Sequence, residues 1–199
     1  KAFLSGSGHH LSAGEVRGLF AELTFLRELI DRGMVVRAAV EAWLGPERAH
    51  QDFIFGNTAV EIKALSGAER NSVRISSEDQ LESLNDALFL RIYRLSDLDA
   101  ASGAQSLNQL VSLIMGRLDE AQAIESFEQK LVARGYAPIP EYDAPLLVVS
   151  EVRSYRVGDG FPRLVRSGMP RGVMNVAYDL ALEVIESYEC PDEAVHGGG

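Results

Sequence analysis

The chain lacks most of the features that stabilise secreted proteins or anchor membrane proteins. Its one cysteine, Cys190, excludes an internal disulfide framework and a zinc cage built from thiolates. No apolar run approaches the roughly 20 residues that a membrane span needs, and residues 1–10 show no apolar signal-peptide stretch. These absences favour a soluble protein of the reducing cytoplasm. The chain begins with Lys1 and not with methionine, so we expect a fragment or a processed chain with a further domain upstream.

Positive charge is also scarce, since 19 lysines and arginines stand against 29 acidic residues, for a net charge of −10. That balance opposes broad, nonspecific binding of nucleic acid, because phosphates need cations to neutralise them. Between residues 151 and 172, however, five arginines face only two acids. Two interpretations stay open, a phosphate-binding stripe and a solvated face paired with acids elsewhere. The five are Arg153, Arg156, Arg163, Arg166 and Arg171.

The first hundred residues alternate between helix and strand signals. Ser12 and Glu15 are spaced as a capping box before an apolar repeat of helical period, and Gly33 ends that repeat. Two β-favouring runs around a short turn predict a hairpin. The predicted elements are a helix over 13–31, a segment over 35–44 that fits a helix or a strand, hairpin strands over 52–55 and 59–65 around Gly56, Asn57 and Thr58, a strand over 72–76, a helix from Ser77 to about Asp86, and a strand over 88–95.

The second half predicts two amphipathic helices followed by strands. The helices are expected to form an antiparallel pair, and a proline-rich connector follows them. The predicted elements are helices over 105–117 and 120–134, a strand over 146–157, a strand or helix over 172–182, and a disordered tail over 191–199 that includes His196. Length and composition suit one sizeable domain, with a core over 1–100 and an extension over 101–190 packed on it.

Two carboxylates and a lysine fall on the predicted hairpin. Glu61 and Lys63 stand two residues apart on its second strand, so both side chains point to one face while Val60 and Ile62 point to the other. A charged pair on a central strand needs a solvated cleft, an ion pair or a metal. Together with Asp52 at the start of the first strand, the carboxylates suit Mg²⁺ or Mn²⁺. The spacing alone is a loose pattern.

The order of the elements resembles the αβββαβ core of the PD-(D/E)XK nuclease superfamily, the restriction-endonuclease-like fold. A closer likeness, to a bacterial family of PD-(D/E)XK motif proteins, covers most of the chain. The segments that carry it are 18–23 (GLFAEL), 43–46 (WLGP), 52–53 (DF), 60–64 (VEIKA), 75–81 (ISSEDQL), 161–163 (FPR) and 178–179 (YD). The resemblance implies an α/β fold with a mixed sheet, to which the helical pair and the C-terminal strands are added.

The same resemblance implies a metal-dependent nuclease, most simply a DNA endonuclease of a bacterial restriction or phage-defence system. Asp52 and Glu61 would bind Mg²⁺ or Mn²⁺, and Lys63 would orient the attacking water or stabilise the phosphorane. Glu22 matches the helical glutamate that many members supply as a further metal ligand, and its other interpretation is a solvent-facing helix residue. DNA, a second copy of the chain and defence proteins are the expected partners.

Several further residues have both a structural and a functional interpretation. Ser77 and Gln80 are spaced as a capping box, which we favour over a Gln80 that faces the site. Ser76 at a strand end would meet a phosphate or have no function, and Arg163 is the arginine we select for contact with the DNA backbone. A lone loop histidine, His50, is expected to be solvated. Trp43 is expected to be a packing anchor.

Two alternatives to a nuclease remain at this point. A non-catalytic relative would keep the fold as a subunit that binds DNA or partner proteins in a defence complex, and the acidic net charge favours it. An intact triad opposes it, because a chain freed from catalysis has little reason to keep that set on one face. A generic α/β domain with a surface pair of Glu61 and Lys63 explains the strand but not the ordered set of motifs.

Overall fold

In the computed structural model, which describes residues 10–67, 71–98 and 103–197, the first helix begins at its capping box. α1 (Ala13–Asp31) starts where the Ser12 hydroxyl accepts a hydrogen bond from the Glu15 amide and the Glu15 carboxylate accepts one from the Ser12 amide. It ends before Gly33, whose φ of 95° lies in the left-handed region that glycine tolerates best. This helix is confirmed, and the ambiguous segment after it forms a helix, α2 (Val36–Ala42).

Five of the seven strands form one mixed sheet. The strands are β1 (Phe53–Phe55), β2 (Thr58–Ser66), β3 (Ser72–Ile75), β4 (Ala87–Asp97), β5 (Leu147–Arg156), β6 (Tyr178–Ala181) and β7 (Glu189–Cys190). The order in the sheet is β1-β2-β4-β5-β7, with β2 parallel to β4 and the other neighbours antiparallel. The hairpin is confirmed with Phe53 opposite Val60.

The third predicted strand forms, but it lies outside this sheet. Both edges of β2 are occupied, by β1 and β4, so β3 pairs instead with β6 in a separate antiparallel ribbon with Ser72 opposite Ala181. The segment over 172–182 is thus a strand only at its end. A 3-10 helix, Leu182–Tyr188, follows it.

Both faces of the main sheet are covered. On one face, Val60 and Ile62 of β2 belong to a core that α1, α2 and the later helices share. On the other face, Ala59 and Leu65 join a second apolar cluster with the ribbon of β3 and β6. The two-residue period of β2 therefore sends its side chains into two different cores.

The helix predicted from Ser77 to Asp86 is wrong, because only one 3-10 turn, Glu78–Leu81, forms there. Two of the carbonyls in this segment have a donor from outside it. The side-chain amide of Gln51 donates to the carbonyls of Asp79 at 2.9 Å and Glu82 at 2.8 Å, which stabilises the turn without a longer helix.

The two later helices are confirmed as α3 (Leu107–Met115) and α4 (Ala121–Ala133). Their pairing differs from the prediction, since α3 packs on α1 and α4 packs on α2. Helices of the second half therefore complete the core of the first half. Of the described helices, none is both long and apolar enough to cross a bilayer.

The disordered tail predicted over 191–199 is wrong for its described part. Asp192–Val195 form a short helix, α5, in which Val195 is fully buried. The ring of His196 stacks on Phe25 with centroids 5.3 Å apart. Apolar burial and the ion pair of Asp192 with Arg91 hold this end, and residues 198–199 lie outside the described residues.

Candidate active site

Glu61 and Lys63 share one face of β2, as their spacing predicts. The Lys63 Nζ lies 2.8 Å from the Glu61 Oε1, and the glutamate is only 2% exposed. Their face also carries Ala59 and Leu65, which the second apolar cluster covers. The pair is therefore enclosed between the sheet and the ribbon of β3 and β6.

Asp52 is tied to the strand that carries this pair. It directly precedes β1, and its Oδ2 accepts a hydrogen bond of 2.8 Å from the amide of Ile62, the residue between Glu61 and Lys63. Its backbone carbonyl accepts hydrogen bonds from the amides of Leu44 at 2.7 Å and Gly45 at 3.1 Å. Hydrogen bonds from two segments thus fix Asp52 beside the Glu61–Lys63 strand.

Glu22 reaches the same region from α1 and is buried, with 4% of its surface exposed. Its Oε2 accepts a hydrogen bond of 2.7 Å from the Trp43 indole, and its Oε1 forms an ion pair with Arg134. The interpretation as a solvent-facing helix residue is wrong. The apolar stripe of α1 is wide enough to take Glu22 into the interior, where it finds two donors.

Gly45 lies between the carboxylates of Glu22 and Asp52. A Cβ atom at this position would be 2.7 Å from Glu22 Oε2 and 3.0 Å from Asp52 Oδ1. Both oxygens therefore face one small space that any side chain at position 45 would enter. Glycine is required here for room and not for backbone conformation.

The pKa values of all three carboxyl groups are raised, in each case first of all by burial. Burial, and after it the charge of Asp52, raise the pKa of Glu22 to about 7 against the opposing charge of Arg134. Burial raises the pKa of Asp52 although the Ile62 amide and Lys63 oppose it. The pKa of Glu61 is raised well above its ordinary value by burial and then by Asp52, against Lys63. Clustered carboxyl groups with raised pKa values are typical of functional sites.

Gln80 faces this site, which makes the capping-box interpretation wrong. Its Oε1 accepts hydrogen bonds from Lys63 Nζ at 2.9 Å and from the Ser76 amide at 2.8 Å. Ser77 still caps the 3-10 turn, but through the amide of Asp79. Ser76 itself is exposed at the end of β3. Gln80 thus connects Lys63 to the backbone of the next strand.

The arginine-rich segment is largely engaged within the protein. The guanidinium of Arg163 donates to the backbone carbonyl of Leu81, and Arg166 pairs with Asp79 at 2.8 Å. Arg153 pairs with Glu151 at 2.8 Å. The interpretation as a face paired with acids holds for Arg153 and Arg166, whereas Arg163 binds a backbone carbonyl.

His50 and Trp43 both lie as the sequence predicts. The side chain of His50 is 69% exposed, with Nδ1 3.6 Å from Asp79 Oδ2. Trp43 is fully buried and its ring packs 6.0 Å from that of Phe127, which confirms a packing anchor. Its hydrogen bond to Glu22 was not predicted.

Sequence reasoning missed Arg134 and Gly45. Arg134 caps the end of α4, 112 residues from Glu22, and nothing local in the sequence connects the two. Beside Pro46, Gly45 has the pattern of an ordinary helix breaker. The one signal for it was its place inside the motif 43–46, between the segments that carry Glu22 and Asp52.

The donor chemistry of the site fits a hard divalent cation. All three candidate ligands are carboxylates, the oxygens of Glu22 and Asp52 face one space, and the cluster carries three acids against two cations, Lys63 and Arg134. Within the described ranges, no three His, Cys, Asp or Glu side chains are arranged as a formed metal cage. Glu22 and Asp52 converge, while Glu61 is held by Lys63.

Comparison with known proteins gives one match. A family model described as "Putative PD-(D/E)XK family member, (DUF4420)" matches residues 1–183. The search of curated proteins and the search of solved structures each found no match. The matched range contains Glu22, Asp52, Glu61 and Lys63.

Proposed function

The chain belongs to this PD-(D/E)XK family, and on that premise we propose that it hydrolyses phosphodiester bonds of DNA in a metal-dependent reaction. The family suggests a nuclease, and the five-stranded mixed sheet with its helices is consistent with a restriction-endonuclease-like fold. The proposal adds the substrate, the metal and the residues that act.

One observation carries the proposal. The amide of Ile62 binds Asp52, and the residues on either side of Ile62 are Glu61 and Lys63, which lie 2.8 Å apart at Nζ and Oε1. Asp52, just before β1, is thus fixed beside Glu61 and Lys63 on β2. A pair that is buried this well is costly for folding, so a functional role is favoured over a merely structural one.

Each residue has a distinct role in the proposed reaction. Asp52 and Glu61 would hold Mg²⁺ or Mn²⁺, and Glu22 would supply a further oxygen. The bound ion lowers the pKa of water and stabilises negative charge on the scissile phosphate. Lys63 donates to a phosphate oxygen or to the attacking water as a protonated ammonium. Gln80, which accepts from Lys63 Nζ at 2.9 Å, would orient that ammonium.

The setting of the reaction is part of the proposal. Bacterial restriction or phage defence would supply double-stranded DNA, and a second copy of the chain would cut the opposite strand. Ser76 is exposed at the mouth of the site and would contact a phosphate. Arg163 already donates to a backbone carbonyl, so its proposed DNA contact would use its remaining donors.

The test is cleavage of supercoiled plasmid by the purified chain with Mg²⁺ or Mn²⁺. Asp52→Ala and Lys63→Ala are expected to abolish nicking, and EDTA is expected to abolish it in the wild type. Asp31→Asn is the matched control, because Asp31 is a half-exposed carboxylate at the end of α1 that pairs with Arg117 and not with a residue of the site. It is expected to nick at the wild-type rate.

Two results would contradict the proposal. Nicking that persists in Asp52→Ala or in EDTA would assign the cleavage to another site or to a contaminant. A folded wild type that neither nicks DNA nor binds the metal would favour the non-catalytic subunit of a defence complex. Calorimetric titration with Mn²⁺ separates loss of metal binding from loss of cleavage alone.

A further inference from the structure

Glu22 already has a cation on one of its two carboxylate oxygens. Arg134 is the C-cap residue of α4, and its guanidinium forms an ion pair with Glu22 Oε1. The other oxygen, Oε2, accepts a hydrogen bond from the Trp43 indole. Both oxygens of the carboxylate are therefore engaged in this state.

The charge of Arg134 acts on two of the carboxylates. It lowers the pKa of both Glu22 and Asp52, against the larger effect of their burial. Lys63 is the second cation of the cluster, is bound to Glu61 and Gln80, and lowers the pKa of Asp52 more than Arg134 does. Arg134 is thus the counter-charge for Glu22 and a secondary one for Asp52.

The rest of α4 holds this arginine in place. Lys130, one helical turn earlier, donates to the carbonyls of Val40 at 2.9 Å and Trp43 at 2.5 Å and pairs with Glu47 at 3.0 Å. Side chains four residues apart lie on one face of a helix, so α4 presents two cations to the segment that contains Gly45. The Arg134 Nε is buried and has no hydrogen-bond partner. Because this buried donor is unsatisfied, the guanidinium of Arg134 is held mainly by its charge and less by its hydrogen bonds.

From this geometry we infer that Arg134 is a resident counter-cation that competes with the divalent metal for Glu22, and so sets the metal affinity of the site. The inference rests on the proposed function. Arg134 is a positioning residue, since it acts through Glu22 and not on the substrate. Without metal, its charge offsets the repulsion between Glu22 and Asp52. A metal that binds Glu22 would compete with the guanidinium for the negative charge of the same carboxylate, and that competition would weaken the observed affinity.

The experiment is calorimetric titration of the full chain with Mn²⁺ at alkaline pH, where Glu22 is ionised. Arg134→Gln is expected to bind Mn²⁺ at least about tenfold more tightly than the wild type, because one nearby positive charge is gone. Arg134→Lys keeps the charge and is expected to stay within about threefold of the wild type. Arg117→Gln is the matched control, since Arg117 lies just after α3 and also pairs with an acid of α1, Asp31, but at the surface. It is expected to leave the affinity unchanged.

A neutral residue at position 134 removes a cation from buried carboxylates and can destabilise the fold. The thermal unfolding of Arg134→Gln is therefore measured as well. We expect it to be less stable than the wild type without metal, and Mn²⁺ to restore more stability to it than to the wild type. If Arg134→Gln is unfolded alone, Mn²⁺ is expected to restore its fold. A variant that stays unfolded with Mn²⁺ overturns the inference.

Equal or weaker Mn²⁺ affinity in folded Arg134→Gln also overturns it. If the wild type and this variant bind alike and both nick plasmid, the competition is wrong and the nuclease proposal stands. If all four folded proteins fail to bind Mn²⁺, the competition and the metal-dependent function both fail.

Discussion

α1 contributes a carboxylate to each of two charge clusters, and the two clusters differ in their balance of acids and cations. The candidate site receives Glu22 from α1 and brings three carboxylates together against Lys63 and Arg134. The second cluster receives Glu28, one and two-thirds turns later, and is centred on Arg91, which is 2% exposed. Arg91 donates to Glu28, to Ser154 at 2.8 Å and to Asp192 at 2.5 Å.

In the Arg91 cluster the charges balance. Two acids, Glu28 and Asp192, face two cations, Arg91 and Arg32, and the hydroxyl of Tyr93 donates to Glu28 at 2.9 Å. Burial raises the pKa of Glu28 although Arg91 opposes it. For Asp192 the hydrogen bond and charge of Arg91 outweigh the effect of burial, so its pKa is lowered. In the candidate site the pKa values of all three carboxyl groups are raised.

The difference suits a structural role for the Arg91 cluster and the proposed metal-binding role for the candidate site. The ion pairs of Arg91 connect β4 to α1 and to α5, and the equal numbers of acids and cations leave no charge that a further ligand would neutralise. Surplus acids keep a repulsion that only a proton or a cation relieves, which suits a metal site. The clusters therefore predict different responses to mutation and to pH.

The largest effect is expected from breaking the balanced cluster. Arg91→Met keeps most of the side-chain volume but leaves Glu28 and Asp192 without their shared cation, and we expect a loss of about 3–5 kcal/mol of folding stability. The partial exposure of both acids favours the lower value. Urea unfolding measures it, with Arg74→Met as the control, because the Arg74–Asp179 pair is exposed and contributes about 0–1 kcal/mol. Equal losses in the two variants would show that the Arg91 cluster does not hold the fold.

The sequence predicts the strand part of the site better than the helical part. A period of two residues requires Glu61 and Lys63 to share a face, and the turn residues 56–58 set the hairpin that brings Asp52 beside them. The apolar stripe of α1 does not show whether Glu22 is buried. A charged residue at the border of such a stripe has the same sequence pattern whether it lies in the interior or at the surface. Its burial depends on Trp43 and Arg134, which other elements supply.

Long-range partners account for the remaining failures. β3 has the pattern of a sheet strand, but its partner β6 begins about a hundred residues later and only the fold brings them together. Gln80 has capping-box spacing, yet Lys63 and the Ser76 amide compete successfully for its oxygen. Local propensity predicts secondary structure correctly in these segments only where residues close in sequence determine it.

The pH dependence of stability is expected to differ in sign between Glu22 of the candidate site and Asp192 of the Arg91 cluster. Glu22 has a pKa of about 7 in the folded chain against an ordinary 4.5, so the folded state holds its proton more tightly. Stability from this group is greatest below pH 4.5 and falls as pH rises to 7. The stability of the wild type relative to Glu22→Gln should therefore fall by up to roughly 3 kcal/mol across that window and level off above it.

Asp192→Asn is the control with the opposite sign. Because the pKa of Asp192 is lowered, its stabilising effect is present above its ordinary value of 3.8 and is lost as the pH falls further. Urea unfolding of the three proteins from below pH 3.8 to above pH 7 measures both slopes. A Glu22→Gln difference that is flat between pH 4.5 and 7 would show that Glu22 is not part of an acid-rich cluster.

The smallest of these effects on stability is expected from adding one methyl group to the site. Gly45→Ala would put a Cβ 2.7 Å from Glu22 Oε2 and 3.0 Å from Asp52 Oδ1. Glu22 cannot simply turn away, because Trp43 and Arg134 hold its two oxygens, so we expect a loss of about 1–3 kcal/mol and weaker Mn²⁺ binding. Gly158→Ala is the matched control, since nothing lies within 4 Å of its Cβ and its φ is not in the left-handed region. If Gly45→Ala matches that control in both stability and metal affinity, Glu22 and Asp52 do not converge on the space beside residue 45, and the surplus of acids there would have no structural consequence.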